Sequence, residues 1–383
     1  MNKKLYDLIT VGRSSIDLYS NDIGAPFTEI TNFAAFVGGS PTNIAVGTRR
    51  LGLKSLLVTA VGADPVGEFV LNFLENEGVE TGFIPKKPGT RTSAVVLGIE
   101  PPDRFPLVYY RDNCADVELT IDDAAKVPVE QAKALLVTGT GLSRDPGRTA
   151  NIYLMERART AGVTVFLDLD FRADQWQNSP AADVRAFGVT VRSLLHLTDV
   201  IFGTEEEIKA ATLRDASQLS IKHSQISAPE ISGDLEQAIA CLTGSISRRA
   251  AGGLPASKRN LENPQASGPG EPISTRIGPE AVVVKRGAEG STVHLSNGEV
   301  HRGEPFRVEV CNVLGAGDAY ASGFIYGYLN GWNWKKCARM GNATGAILVT
   351  KHGCANFMPF ESEALNFVEA NGGFLEGKLT CPQ

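Results

Sequence analysis

The sequence has no run of about 18 apolar residues, so nothing in it is expected to span a membrane. It has no excess of positive charge: 37 Lys and Arg stand against 43 Asp and Glu, a formal net charge of −6. No long basic run is present, and a nucleic-acid partner is therefore not expected. The six cysteines (Cys114, Cys241, Cys311, Cys337, Cys354, Cys381) are scattered without a CxxC pair. That argues against a disulfide framework or a zinc site, and for free thiols in a reducing cytoplasm. The opening "MNKKLYDLITVGRSS" starts basic, but its apolar part is too short for a secretory signal and Asp7 interrupts it. Internal repeats are absent. So is a Walker A loop, because the turn "GAGD" at 315–318 lacks the Lys and Ser/Thr that must follow. "GTGLSR" at 139–144 lacks the third glycine of a dinucleotide fingerprint.

What is present is an ordinary globular composition, 43% hydrophobic and 21% charged over 383 residues, enough for one large domain or two small ones. Short apolar runs, "ALLVTGT" (134–140), "VTVFLDLD" (163–170), "TDVIFGT" (198–204) and "AVVVKRG" (281–287), read as buried strands. Segments with helical spacing, including 149–161 and 181–195, lie between the first three. Alternation of this kind predicts an α/β fold with a mostly parallel sheet covered on both faces. Ligands then sit beyond the carboxyl ends of the strands. Polar or glycine residues stand at each of those ends: Gly139 to Gly141, Asp168 to Arg172, Gly203 to Glu207, Lys285 to Gly287.

Two regions break the rhythm. "TSAVVLGIE" (92–100) and "PLVYYRDN" (106–113) read as neighbouring antiparallel strands. With 14–20 and 30–37 they could build a small separate sheet, either a lid or an edge hairpin. Residues 244–280 are rich in Gly, Pro, Ser, Asn and charge and poor in large apolar residues. Such a segment cannot bury enough surface to offset its ordering entropy, and it reads as a surface insertion between a helix near 234–243 and the strand at 281. Because doubling a loop's length costs only about 0.6 kcal/mol, replacing 246–278 by a short Gly/Ser linker should leave kcat within a few-fold. Steady-state kinetics of the deletion variant checks this; loss of folding or activity would mean that the segment packs on the site or on a partner.

"NVLGAGDAYASGF" at 312–324 carries the chemistry. Ala321, Phe324, Ile325, Tyr328 and Leu329 recur at helical spacing, so a helix starts near Gly315. Its first N–H groups have no intrahelical partner and carry partial positive charge. Glycines there let a ligand approach the bare backbone of Gly315, Ala316 and Gly317, a hole suited to a phosphoryl group in transfer. Asp318 in the first turn can accept the proton of an attacking hydroxyl. Taken alone, the motif equally suits an aspartate that only complements the helix dipole.

A second glycine pair opens a helix in "FVGGSPTNIAVGTRRLG" (36–52), and "VGRSSIDLY" puts Asp17 just after a strand. Together these motifs resemble the ribokinase-like (PfkB) carbohydrate kinases over nearly the whole chain except 244–280. The resemblance implies one kinase domain over 1–370, followed by a tail at 371–383. It implies a central mostly parallel sheet flanked by helices, and a small β-sheet lid from about 14–37 and 90–115. It also implies roles. Asp318 would be the catalytic base and Gly315 to Gly317 the anion hole. Asp17, Gly38, Gly39 and Asn43 fall at sugar-binding positions. "GTEEE" matches an Asn-x-x-Glu segment with Glu206 at the magnesium-organising Glu, acting through water; Gly203 replaces the Asn, which puts a side-chain contact to the nucleotide in doubt. Lys285, Gly287 and Gly290 would line the nucleotide, and Asn342 would border the adenine. ATP and Mg2+ are the implied cofactors. His352 lies where members often bind a monovalent cation such as K+ through backbone oxygens, and has no implied catalytic role. Several members dimerise through the lid, so a homodimer is the implied assembly.

"VYYRDNCAD" (108–116) and "DLDFR" (168–172) resemble the acid-sugar branch of that family, which holds a substrate carboxylate; here Asp170 stands where that branch has Asn. Tyr109 and Arg111, with Arg172 nearby, would bind the carboxylate, since a planar guanidinium can grip it with two parallel hydrogen bonds. The branch implies transfer of the ATP γ-phosphoryl to the terminal hydroxyl of a keto-acid. A neutral-sugar kinase would keep both glycine motifs without needing Arg111. A non-catalytic sugar sensor would be expected to lose Asp318 or a hole glycine.

Overall fold

The computed structural model describes residues 4–101, 104–172, 175–176, 180–214, 218–220, 230–244 and 278–374. Almost all of the expected insertion, and residues 375–383 of the expected tail, lie outside them. Counting strands of four or more residues and helices of eight or more, the elements are as follows in chain order. Strands β1 (Tyr6–Val11), β2 (Ser15–Ser20) and β3 (Phe33–Gly38) precede α1 (Ser40–Arg50), β4 (Ser55–Val58) and α2 (Pro65–Asn76). Next come β5 (Ser93–Leu97), β6 (Leu107–Tyr110), β7 (Ala132–Thr138), α3 (Gly147–Thr160), β8 (Thr164–Asp168), α4 (Pro180–Ser193) and β9 (Val200–Thr204). Helices α5 (Glu205–Thr212) and α6 (Leu235–Leu242) lead to β10 (Ala281–Lys285), β11 (Ser291–Leu295) and β12 (Val300–Gly303). The described chain ends with α7 (Ala316–Leu329), α8 (Trp334–Val349) and α9 (Glu361–Ala370).

The main sheet runs β12-β11-β10-β9-β8-β7-β1-β4. It is parallel from β10 to β4, and only the β11 and β12 pairings are antiparallel. Both of its faces are covered, which is why "LLV" and "AVVV" are apolar at consecutive positions. Leu135, Leu167 and Ile201 pack on one side with α3, α4 and α5, while Phe166, Phe202 and Val283 pack on the other with α1, α7 and α8. Strand order reverses at β1: the chain leaves it toward β4 on one side and later returns to β7 on the other. A crevice opens at such a reversal, beyond the strands' carboxyl ends.

The expectation of a small separate sheet holds. A separate sheet of order β3-β2-β5-β6 stands beside the main one, with β5 and β6 antiparallel as read from the sequence and β2 and β5 parallel. The helix expected from the GAGD segment is α7. Ala321, Phe324 and Ile325 are fully buried, and Tyr328 and Leu329 pack on the same core half-buried. The Phe324 ring lies 5.1 Å from Phe202, edge to face. Burial of a side chain of this size stabilises by about 1.5–3 kcal/mol, and here it fixes α7 on the sheet with Asp318 in its first turn. At the far end the chain stays packed to Phe374, whose ring is 5.1 Å from Trp332.

Candidate active site

A cavity of about 520 Å³ lies at the carboxyl ends of β8, β9 and β10, walled by α7, α8 and the segment 305–314. Gly315, at φ +81°, is the N-cap of α7, a left-handed conformation that glycine adopts without a steric penalty. Gly315, Ala316, Gly317 and Asp318 all face the cavity. Asp318 is held from two sides: Ser40 Oγ donates to Oδ1 and Asn43 Nδ2 to Oδ2, each at 2.7 Å. Both donors sit in the first turn of α1, so the second glycine motif orients the carboxylate of the first. Burial, reinforced by Asp170, pushes the Asp318 carboxyl up to about 6 against the pull of Asn43, Ser40 and Lys285. A base near that value is ionised at neutral pH yet holds a proton well.

Lys285 ends β10 with its ammonium 3.0 Å from Asp168 Oδ1 and 3.1 Å from Oδ2. It lies 3.2 Å from where a β-carbon on Gly317 would sit, so it stands over the N-terminus of α7. Burial opposes its charge, but Asp168 and Glu207 outweigh that and hold its pKa above the ordinary lysine range. Asp168 is pushed up to about 7 by burial, with Lys285 pulling the other way. Gly287, Gly290 and Asn342 also line the cavity. Asn342 donates to the carbonyls of Gly303 (2.8 Å) and Glu304 (2.9 Å), which pins the start of the segment that walls it.

On the lid side, Asp17 of β2 is buried and accepts a 2.7 Å bond from Ser15. A β-carbon on Gly38 would come within 1.9 Å of Asp17 Oδ2, so only glycine lets that carboxylate lie across the start of α1. Gly39 caps α1. Burial raises the Asp17 pKa, opposed by Arg13 and Ser15.

Three expected residues behave differently. Glu206 is half-buried and does not line the cavity; its neighbour Glu207 does. The cause is a capping box: Thr204 is the N-cap of α5, and Glu207, at the third helical position, folds back to accept from Thr204 N at 2.8 Å and Phe171 N at 3.1 Å. Arg172 is on the cavity wall, but paired with Asp170 at 3.0 Å. Asp170 has φ +31°, a backbone state that Asn and Asp tolerate better than most residues, and it also accepts from Thr140 Oγ1. Arg111 has its fork filled from within. Nε and Nη2 both bond Asp116, and Nη1 donates to Gln175 at 2.6 Å and to the Thr140 carbonyl at 3.2 Å. The two partners are only 7% and 1% exposed. Removing one member of such a pair strands the other, so Arg111→Ala should cost about 3–5 kcal/mol of stability, read as a lowered denaturant midpoint. An unchanged midpoint would show that Arg111 is not a structural ion pair.

Sequence reasoning passed over Arg13. It follows β1, is 7% exposed, and its guanidinium carbon lies 5.3 Å above the Tyr109 ring of the lid. The available signal was its place at the carboxyl end of a strand, where a charged residue has no packing purpose.

Comparison with known proteins fits this geometry. The profile of the pfkB family carbohydrate kinases matches residues 6–234 and 271–361. The chain belongs to that family. It is 32% identical to the 5-dehydro-2-deoxygluconokinase of Geobacillus thermodenitrificans over 369 residues, 96% of this chain and 94% of that one. It is likewise 32% identical to the enzyme of that name from Clostridium beijerinckii over 364 residues, 95% and 93% of the two chains. Among solved structures, a protein of E. coli described as a ribokinase II, in complex with ATP and magnesium, superposes with a TM-score of 0.74 at 19% identity, covering 96% of this chain and all of that one. The fructokinase of Vibrio cholerae with fructose, ADP and potassium superposes at 0.71 and 21% identity, covering 96% and 99%. At these identities the structures establish the ribokinase-like fold. As a PfkB carbohydrate kinase, the protein is an ATP-dependent sugar kinase.

Proposed function

We propose that this PfkB kinase transfers the γ-phosphoryl group of ATP to the terminal hydroxyl of 5-dehydro-2-deoxy-D-gluconate, giving the 6-phosphate within inositol catabolism. The observation that carries the kinase chemistry is Asp318, fixed by Ser40 and Asn43 beside the bare N-terminus of α7. The names of the relatives at 32% identity support the acid as substrate.

The hydroxyl, set between Asp17 and Asp318, attacks the γ-phosphorus and gives its proton to Asp318 while ADP departs. The N–H groups of α7 and the Lys285 ammonium take up the charge on the equatorial oxygens. Asp168 keeps Lys285 pointed at that spot. Among the described residues no three metal-ligating side chains come together. A magnesium ion would be held here largely by the substrate's phosphates and water, with Glu207, which lines the cavity, rather than Glu206 ordering the waters. When bound, the ion neutralises phosphate charge. No described helix is long and apolar enough to cross a membrane, and a cytoplasmic setting suits the free thiols. Phe33, Val108 and Tyr110 are exposed on the lid, and a second copy of the chain is the proposed cover.

An ADP-release assay with 5-dehydro-2-deoxy-D-gluconate, 2-keto-3-deoxygluconate and fructose tests the substrate. The first should give the highest kcat/KM. Preference for fructose would replace the acid-sugar reading by a fructokinase, and no turnover on any sugar would favour a sensor.

A further inference from the structure

We infer that Arg13 is the residue that takes the substrate's carboxylate and sets the preference for an acid over a neutral sugar. The inference rests on the acid-sugar reading above and names the group that performs it. Three arginines converge where the lid meets the main sheet. Arg111 is matched by Asp116, and Arg172 by Asp170. Arg13 is not matched. Among the described residues it forms no ion pair; its one hydrogen bond is from Nη1 to Ser15 Oγ at 2.7 Å, and its Nε is buried without a partner. Nearby acidic groups outweigh burial and keep the guanidinium charged, and with its fork so incompletely bonded it keeps the capacity to bond an anion with two oxygens.

Its place suits that role. Arg13 leaves β1 at the strand-order reversal next to β7, where Gly12 and Thr138 approach each other so closely that a β-carbon on Gly12 would lie 2.9 Å from Thr138 Oγ1. Its backbone is fixed, since Thr42 Oγ1 donates to the Arg13 carbonyl at 3.2 Å. The next residue along α1, Asn43, holds Asp318. One turn of α1 therefore holds both the Arg13 backbone and the Asp318 carboxylate, and a short acyclic chain could be gripped by its carboxylate at one end and presented by its hydroxyl at the other. Asp17, Tyr109, Asp116 and Asp170 act electrostatically on Arg13, Asp17 also through the Ser15 hydroxyl between them, but none makes an ion-pair contact with it, so an incoming carboxylate does not have to displace a directly paired counter-ion, as it would at Arg111. Tyr109, over the guanidinium, adds a face that favours the cation.

The test compares wild type, Arg13→Gln and Arg13→Lys on 5-dehydro-2-deoxy-D-gluconate and on D-fructose, with direct calorimetric binding of the acid and of ATP. A charge-assisted bond of this kind corresponds to about a 10- to 150-fold change. Arg13→Gln should lower the acid-to-fructose ratio of kcat/KM by that factor, mainly through KM, and weaken acid binding equally while ATP binding holds. Arg13→Lys should restore part of the ratio, since an ammonium lacks the two-pronged fork. If acid binding is unchanged, or acid and ATP binding weaken together, Arg13 is a structural residue and the inference is wrong. If the wild type prefers fructose, the acid-sugar reading itself fails, whatever the variants do.

Discussion

Asp318→Asn should lower kcat by on the order of 10²-fold or more and leave the KM for ATP nearly unchanged. The substitution keeps the size of the side chain and its place in the first turn of α7, but an amide cannot accept the hydroxyl's proton. Ser40 and Asn43 both donate to the carboxylate, so one of them would also face the new NH2 group. The pH profile supplies an independent readout. Burial holds Asp318 at about 6, and catalysis needs its ionised form. The wild-type kcat/KM should therefore fall about tenfold per pH unit below that value, and the limb should vanish in the variant's residual rate. The folding contribution has the same origin: a carboxyl whose pKa is raised on folding favours the native state at low pH, and this is given up as pH rises toward 6. Near-wild-type turnover in the variant would rule out Asp318 as the base.

Lys285→Gln should be the next most damaging change, with kcat down by about 10²–10³-fold, the loss typical of one preorganised charge-stabilising donor. The ammonium is the cation placed nearest the hole at Gly317, and its charge matters most when charge builds on the transferring group. Stability should change far less than burial alone suggests. Asp168, already raised to about 7 by burial, would take up a proton once its partner is gone and so avoid standing as a bare charge. Single-turnover rates with saturating ATP, beside a denaturation curve, separate the two effects. A loss confined to the KM for ATP would make Lys285 a ground-state phosphate contact rather than a stabiliser of the transfer.

The features legible in the sequence were those carried by short-range chemistry. Glycines beside polar residues announced the openings of α1 and α7, and uninterrupted apolar runs announced a doubly covered parallel sheet. The small separate sheet followed from two alternating segments with a turn between them. What escaped depended on tertiary pairing or on a single step of helix register. Glu206 and Glu207 are indistinguishable by composition, and only the capping box at Thr204 turns Glu207 inward; Thr-x-x-Glu was a visible sign of it. Arg111 looked free because Asp116, five residues on, has no reason in sequence to face it, while Gln175 and Thr140 reach it only through the fold. Arg13 went unnoticed for the converse reason. Its importance lies in what it fails to touch, and a missing partner cannot be read from a linear string.

The most direct test of the account is the structure of the product made by the wild-type enzyme from ATP and 5-dehydro-2-deoxy-D-gluconate, read by mass spectrometry and 31P NMR. The account predicts one equivalent of ADP and a single phosphomonoester coupled to the two protons of the terminal carbon. Phosphate on any other position, an acyl phosphate at the carboxyl group, or inorganic phosphate released without a sugar product would contradict it.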